Sequence, residues 1–101
     1  MVQTLQEAPL VFDDATDRAL MQRIAQGDGS AVERLYATYE KPVGNLLYRM
    51  CYDTALAEDC LQETFLRLWT HADTWRSEKA SVSTWLHRIA HNLCIDYLRK
   101  D

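Results

Sequence analysis

The sequence holds 101 residues, 48% of them hydrophobic and 26% charged, with a formal net charge of −4. That length supports one domain with a modest core. No run approaches the ~18 apolar residues that span a membrane, and a negative total excludes a protein that coats DNA by charge alone.

Only 3 Gly and 2 Pro leave little turn chemistry, which favours helices over a many-stranded sheet. The start, MVQTLQEAPLVFDD, has neither the basic opening nor the long apolar run of a secretory leader. Cys51, Cys60 and Cys94 are odd in number and lack CxxC spacing, so reduced thiols and a cytoplasmic location are expected. Charge is unevenly spread. Residues 1–75 carry 6 Lys+Arg against 12 Asp+Glu, whereas residues 76–101 carry 5 against 3. The first part suits a basic protein surface, and only the last is placed to meet phosphate.

Residues 1–12 show no periodicity and read as a flexible tail. A first helix is expected from Asp13 or Asp14, with Leu20, Met21 and Ile24 as its apolar stripe and Gly27-Asp28-Gly29 as its stop. A second is expected from Ser30, where Ser30-Ala31-Val32-Glu33 has the form of a capping box. Its core candidates are Leu35, Tyr39, Leu46, Leu47 and Met50. Pro42 removes a helical hydrogen bond, which predicts a kink or break between Tyr39 and Pro42.

The third helix is expected from Asp53-Thr54 to about His71. Ala57, Leu61, Phe65 and Leu68 mark its buried face, joined by Cys60 and Trp69. Its other face reads Glu58, Asp59, Gln62, Glu63, Leu66, Arg67. Asp73 to Ser81 forms a loop.

A fourth helix follows, with Val82, Leu86, Ile89, Ala90, Leu93 and Tyr97 on one side. Trp85, Arg88, Asn92, Asp96 and Arg99 form a second line about 110° away. A core helix has no need of that line. A helix on nucleic acid can use all of it: arginine binds phosphate, asparagine reads base edges and tryptophan stacks on an unpaired base. The whole reads as an all-α fold, a compact bundle of about four helices over residues 13–101.

His87, His91 and Cys94 share a helix face at i, i+4, i+7 and could ligate a metal, with His71 as a fourth ligand, but a partly exposed flank that happens to hold the same residues is the better explanation. No Glu follows His87, unlike a zinc-protease helix, and no glycine-rich phosphate loop is present. Asp59 and Glu63 on a polar face, and Ser81, Ser83 and Thr84 before a helix, are better read as solvated and capping residues than as catalysts. The reading is therefore not an enzyme, without metal or cofactor. The alternatives are a metal- or redox-sensing helical module using His87, His91 and Cys94, and a helical adaptor that binds only protein.

Two stretches carry a family resemblance. Ala57-Glu58-Asp59-Cys60-Leu61-Gln62-Glu63-Thr64-Phe65-Leu66-Arg67-Leu68-Trp69 resembles the polymerase-binding helix of the extracytoplasmic-function (ECF) sigma factors of bacterial RNA polymerase. The run from Trp85 to Arg99 resembles the promoter-melting, −10-reading helix of the same family. The order and separation of the two agree as well, over about residues 16–101.

The resemblance implies a transcription initiation factor domain of sigma region 2 type. Asp59, Gln62, Glu63, Leu66 and Arg67 are then expected on the clamp helices of the largest subunit of core RNA polymerase. The loop from Trp75 through Arg76 and Ser77 to Ser83 is expected to hold a base flipped from the non-template strand of the −10 promoter element. Trp85, Arg88, His91, Asn92 and Asp96 are expected to face the promoter DNA, with Arg99 and Lys100 on phosphate. An anti-sigma factor is a further expected partner, and a membrane is not. His87 and His91 replace a tyrosine and a basic residue common in the family, which makes phosphate contact there sensitive to pH. Asp96, when ionised, can only accept, for instance from a cytosine amino group. A complete member carries a second domain reading the −35 element, so this chain is expected to be a fragment lacking it.

Overall fold

The computed structural model describes residues 14–100; the tail expected over residues 1–12, with Asp13 and Asp101, lies outside the described residues. The described residues form four helices: α1 (Asp14–Ala25), α2 (Gly29–Cys51), α3 (Thr54–His71) and α4 (Val82–Arg99), with one 3₁₀ turn at Ala72–Thr74. The all-α bundle is as expected. None of these helices is long and apolar enough to cross a membrane.

Helix ends follow local chemistry. Gly27, at φ 95°, closes α1 with two reversed bonds, Gly27 N–H to the Ile24 carbonyl (2.9 Å) and Asp28 N–H to the Arg23 carbonyl (3.0 Å). Asp53 caps α3 by accepting from the Leu56 N–H at 3.1 Å. Ser81 caps α4 by accepting from the Thr84 N–H at 3.1 Å.

The start of α2 departs from expectation. Asp28, not Ser30, is the cap, and no Ser30–Glu33 box forms. The Asp28 carboxylate accepts from both the N–H and the hydroxyl of Ser30, and from Arg23 Nε at 2.9 Å. Those three donors hold its carboxyl below the usual range, the Ser30 hydroxyl foremost. A carboxylate two residues upstream takes the hydroxyl that the box needed.

Pro42 also departs from expectation: α2 runs unbroken from Gly29 to Cys51. Leu35 and Tyr39 before the proline, and Val43 and Leu47 after it, are wholly buried. Packing on both sides of Pro42 outweighs the lost bond, and the orphaned carbonyl belongs to half-buried Thr38, within reach of water.

Helix α2 organises the bundle, because it packs against α1, α3 and α4. Its buried residues, Ala31, Leu35, Tyr39, Val43 and Leu47, fall at every fourth position. At about 100° per residue, each step advances about 40°, so this row winds through about 160° of the helix surface. One winding row faces three neighbours in turn. The core candidates Leu46 and Met50 lie beside it and are half-buried.

In α3, Ala57, Cys60, Leu61, Phe65 and Leu68 are buried as expected, but Trp69 is 40% exposed. Trp69 lies about 40° beyond Phe65 around the helix, off the edge of the stripe. In α4, Val82, Leu86, Ala90 and Leu93 are buried, whereas Tyr97 is exposed in the last turn. Cys94, wholly buried, belongs to the core.

Candidate functional site

Two surfaces meet along the α3–α4 side. On α3, Asp59, Gln62, Leu66 and Arg67 are exposed and Glu63 is half-buried. Glu63 and Arg67, one turn apart, pair at 3.5 Å. Leu66, 53% exposed among these polar groups, makes the face amphipathic in the manner of a protein contact. Exposed Trp69, one turn on, enlarges its apolar part, and its position at the stripe edge was the signal available in the sequence.

On α4, Arg88, His91, Asn92, Asp96 and Arg99 are exposed and Trp85 is half-buried, so the expected line stands outside the core. Among the described residues, Arg88 and Arg99 have no ion-pair partner. Both guanidiniums are free to meet phosphate. Lys100 follows, its ammonium 5.5 Å from the centre of the Tyr97 ring.

The loop before α4 is folded rather than loose. Trp75 Nε1–H donates to the Ala80 carbonyl at 3.0 Å, closing residues 75–80 into a ring. Lys79 N–H donates to the Arg76 carbonyl at 3.0 Å inside it. The Arg76 guanidinium folds back on the carbonyls of Asp73 (2.8 Å) and Trp75 (3.0 Å).

This ring and the first turns of α4 enclose a hollow of about 170 Å³, lined by Thr74, Trp75, Arg76, Lys79, Ala80, Trp85 and Arg88. Two indoles and three cations thus line one small concavity. Ring faces suit stacking, and the cations suit the phosphates on either side of a stacked base. Trp85 and Thr74 are shared with a second hollow of about 210 Å³, completed by Arg67, His71 and Ile89. A larger cleft of about 460 Å³ lies between Glu63 and Arg67 of α3 and Leu93, Asp96, Tyr97 and Lys100.

Of the expected loop residues, the structure brings Trp75 and Arg76 to the hollow and leaves Ser77 exposed outside its lining. Ser83 turns inward: its carbonyl lies 2.7 Å from His87 Nδ1, and its hydroxyl interacts with Tyr39. Lys79 and Thr74 line the hollow although the sequence reading did not single them out. Lysine in a polar loop carries no periodic signal, and only the ring closure through Trp75 aims it.

His87, His91 and Cys94 do not converge. His87 is half-buried against its own helix, His91 is exposed, and Cys94 is buried. His71 is engaged locally with Thr70 and the Arg67 carbonyl. Among the described residues, no group of three His, Cys, Asp or Glu side chains could hold a metal ion. The shared helix face was real, but its edge passes from solvent into the core within one turn.

A comparison with protein families matches residues 35–101 to the family described as Sigma-70 region 2. The chain is 41% identical over 69 residues to the ECF RNA polymerase sigma factor SigM of Bacillus subtilis, covering 68% of this chain and 41% of that protein. It is 36% identical over 80 residues to SigW of the same organism, covering 79% of this chain and 42% of SigW. An ECF RNA polymerase sigma-E factor of Haemophilus influenzae is 36% identical over 86 residues, 85% of this chain and 44% of its own length. The chain spans less than half the length of these relatives.

Proposed function

The chain belongs to the Sigma-70 region 2 family, in its ECF branch, and from that premise we propose that it acts in transcription initiation, binding core RNA polymerase and opening the −10 element of a promoter. Its action is binding rather than catalysis, and its place is with polymerase in the bacterial cytoplasm. The unit that carries it is residues 13–101.

The observation that carries the reading is the hollow walled by Trp75 and Trp85, with Arg76, Lys79 and Arg88 on its rim. Its volume of about 170 Å³ is on the scale of one base and not of a duplex. In the proposed mechanism, a non-template base leaves the stack and enters between the indoles. The rim cations hold the adjoining phosphates. Asn92 and Asp96 meet base edges further along, and Arg99 and Lys100 hold backbone.

Binding a flipped base costs a few kcal/mol of unstacking. The net charge of −4 supplies no general attraction to DNA with which to offset it. Docking on polymerase therefore provides most of the affinity, and the face of Asp59, Gln62, Glu63, Leu66 and Arg67 supports such docking on the clamp helices. An anti-sigma factor competing for that face completes the proposal.

The test is binding of the chain to core RNA polymerase, alone and with single-stranded or duplex −10 oligonucleotides. The reading expects tight polymerase binding that is lost in Gln62→Ala/Glu63→Ala. It also expects single-stranded DNA to bind only in the complex. A wild-type chain that ignores polymerase sinks it. A chain that binds polymerase and never DNA leaves the protein-only adaptor.

A further inference from the structure

Three thiols from three helices lie near enough to interact at the core: Cys51 in the last turn of α2, Cys60 in α3 and Cys94 in α4. Cys60 and Cys94 are wholly buried in one shared cluster, and Cys51 is half-buried against it. Cys94 interacts with both Cys51 and Cys60, and Cys60 also feels Cys51. Cys51 Sγ donates to the Asp53 carbonyl at 3.4 Å, where the chain turns from α2 into α3. None of the three belongs to the surfaces described above.

We propose that Cys51 and Cys94 form a reversible oxidation site: a hydroperoxide reacts at Cys51, and Cys94 supplies the second sulfur of a disulfide. Of the three residues, only Cys51 reaches the surface, whereas Cys60 and Cys94 are wholly buried. Burial, first among several causes, pushes the Cys60 thiol up to about 11 and raises that of Cys94 as well. Neither is a ready nucleophile toward peroxide.

The chemistry balances in two steps. The Cys51 sulfur attacks one peroxide oxygen, the O–O bond breaks, and the leaving oxygen departs as water or an alcohol carrying the thiol proton. Cys51 is then a sulfenic acid. The Cys94 sulfur next attacks the Cys51 sulfur, the S–O bond breaks, and hydroxide leaves as water with the Cys94 proton. Two thiols have lost two electrons and two protons to one peroxide. The product ties the end of α2 to α4 between Asn92 and Asp96. A thiol reductant reverses it by exchange.

The test treats the purified chain with hydrogen peroxide, blocks remaining thiols under denaturing conditions, and maps the peptides by mass spectrometry without reduction. The expected product is a monomer lighter by two hydrogens, with the Cys51 and Cys94 peptides joined and Cys60 alkylated. Dithiothreitol restores the starting mass. Cys51→Ser loses the product and Cys60→Ala keeps it, with circular dichroism confirming that both fold. A Cys60–Cys94 link that survives in Cys51→Ser overturns the assignment. So does Cys51 driven to sulfinic acid with no link, or a wild-type chain left unchanged. Should Cys51→Ser fail to fold, the peptide map of the wild type and of Cys60→Ala decides.

Discussion

Tyr39 of α2 donates its hydroxyl hydrogen to the carboxylate of Asp17 in α1, and both side chains are buried. The Tyr39 ring also meets His87 of α4 edge-on, its centroid 6.4 Å from that of the imidazole. One residue of the central helix thus ties down the first helix and the start of the last. Tyr39→Phe keeps the ring and removes the donor to a buried carboxylate. A hydrogen bond to a charged group contributes about 1.5–3 kcal/mol, and urea unfolding is expected to show a loss in that range. No loss in unfolding free energy would place the stability of this corner in the packing alone.

Alkaline pH is expected to weaken the fold before acid does. Burial, and then the Asp17 carboxylate, raise the Tyr39 phenol above its ordinary value of 10.0. Burial raises the Cys60 thiol from 9.0 to about 11. Both groups bind their protons more tightly when folded. Their contribution is complete below the unfolded values and is lost as pH rises through the folded ones. Stability should hold to about pH 9, decline from 9 to 11 as unfolded Cys60 gives up its proton, and decline further above 10 through Tyr39. Thermal melts of wild type and Cys60→Ala from pH 7 to 11 check this: the variant's curve should be flatter between 9 and 11.

Pro42 offers a test of how far packing overrides propensity. Pro42→Ala restores one helical donor and removes the clash with the preceding turn. Interior proline costs about 3 kcal/mol, part of which α2 has already absorbed, so a gain of about 1–3 kcal/mol is expected in denaturant unfolding. A destabilised variant would mean that Pro42 sets a curvature the three neighbouring helices require.

The Trp75–Ala80 bond holds the loop closed. Trp75→Phe keeps a ring and deletes the donor. Amide exchange over residues 75–81 should rise, and affinity for single-stranded −10 DNA in the polymerase complex should fall by about five- to tenfold, the equivalent of roughly 1 kcal/mol. Faster exchange with unchanged affinity would separate the loop from base capture.

Asn92 and Arg99 stand two turns apart on α4 and are expected to fail differently. Asn92→Ala should cost about 1–3 kcal/mol on the preferred −10 sequence and little on others. Arg99→Ala should weaken every sequence alike and reduce the salt dependence by about one phosphate. Competition binding across a small panel of −10 variants at two salt concentrations distinguishes them. A uniform loss for both would remove Asn92 from base reading.

What was legible in the sequence was mostly periodic. The boundaries of α3 and α4 could be read because Asp53 and Ser81 each stand directly before an apolar repeat. The Trp85–Arg99 line could be read because it lies well away from the buried stripe. Positions at a stripe's edge could not be assigned. Trp69 and Cys94 sit at comparable angles on their helices, yet one is 40% exposed and the other wholly buried. A small thiol is readily buried whole, whereas a bulky indole seldom is. Asp28 and Pro42 were misjudged because short-range rules ignore neighbours: a carboxylate that reaches Ser30 first, and a packed row on either side of a proline. The hollow at Trp75 was legible only as residue types, since its closure depends on one bond across the loop.

The every-fourth-residue row of α2 makes that helix intolerant of changes in length. One residue added between Leu35 and Val43 turns everything beyond it by about 100°, which points Val43 and Leu47 away from the helices they now touch. Substitution along this helix can be absorbed locally, but insertion cannot. The connection at Gly27–Gly29, where the chain is exposed or half-exposed and Gly27 and Gly29 have nothing close by, is where an extra residue is most easily placed. Related chains that diverge freely in sequence should therefore keep the spacing from Ala31 to Leu47 fixed and vary in length before it.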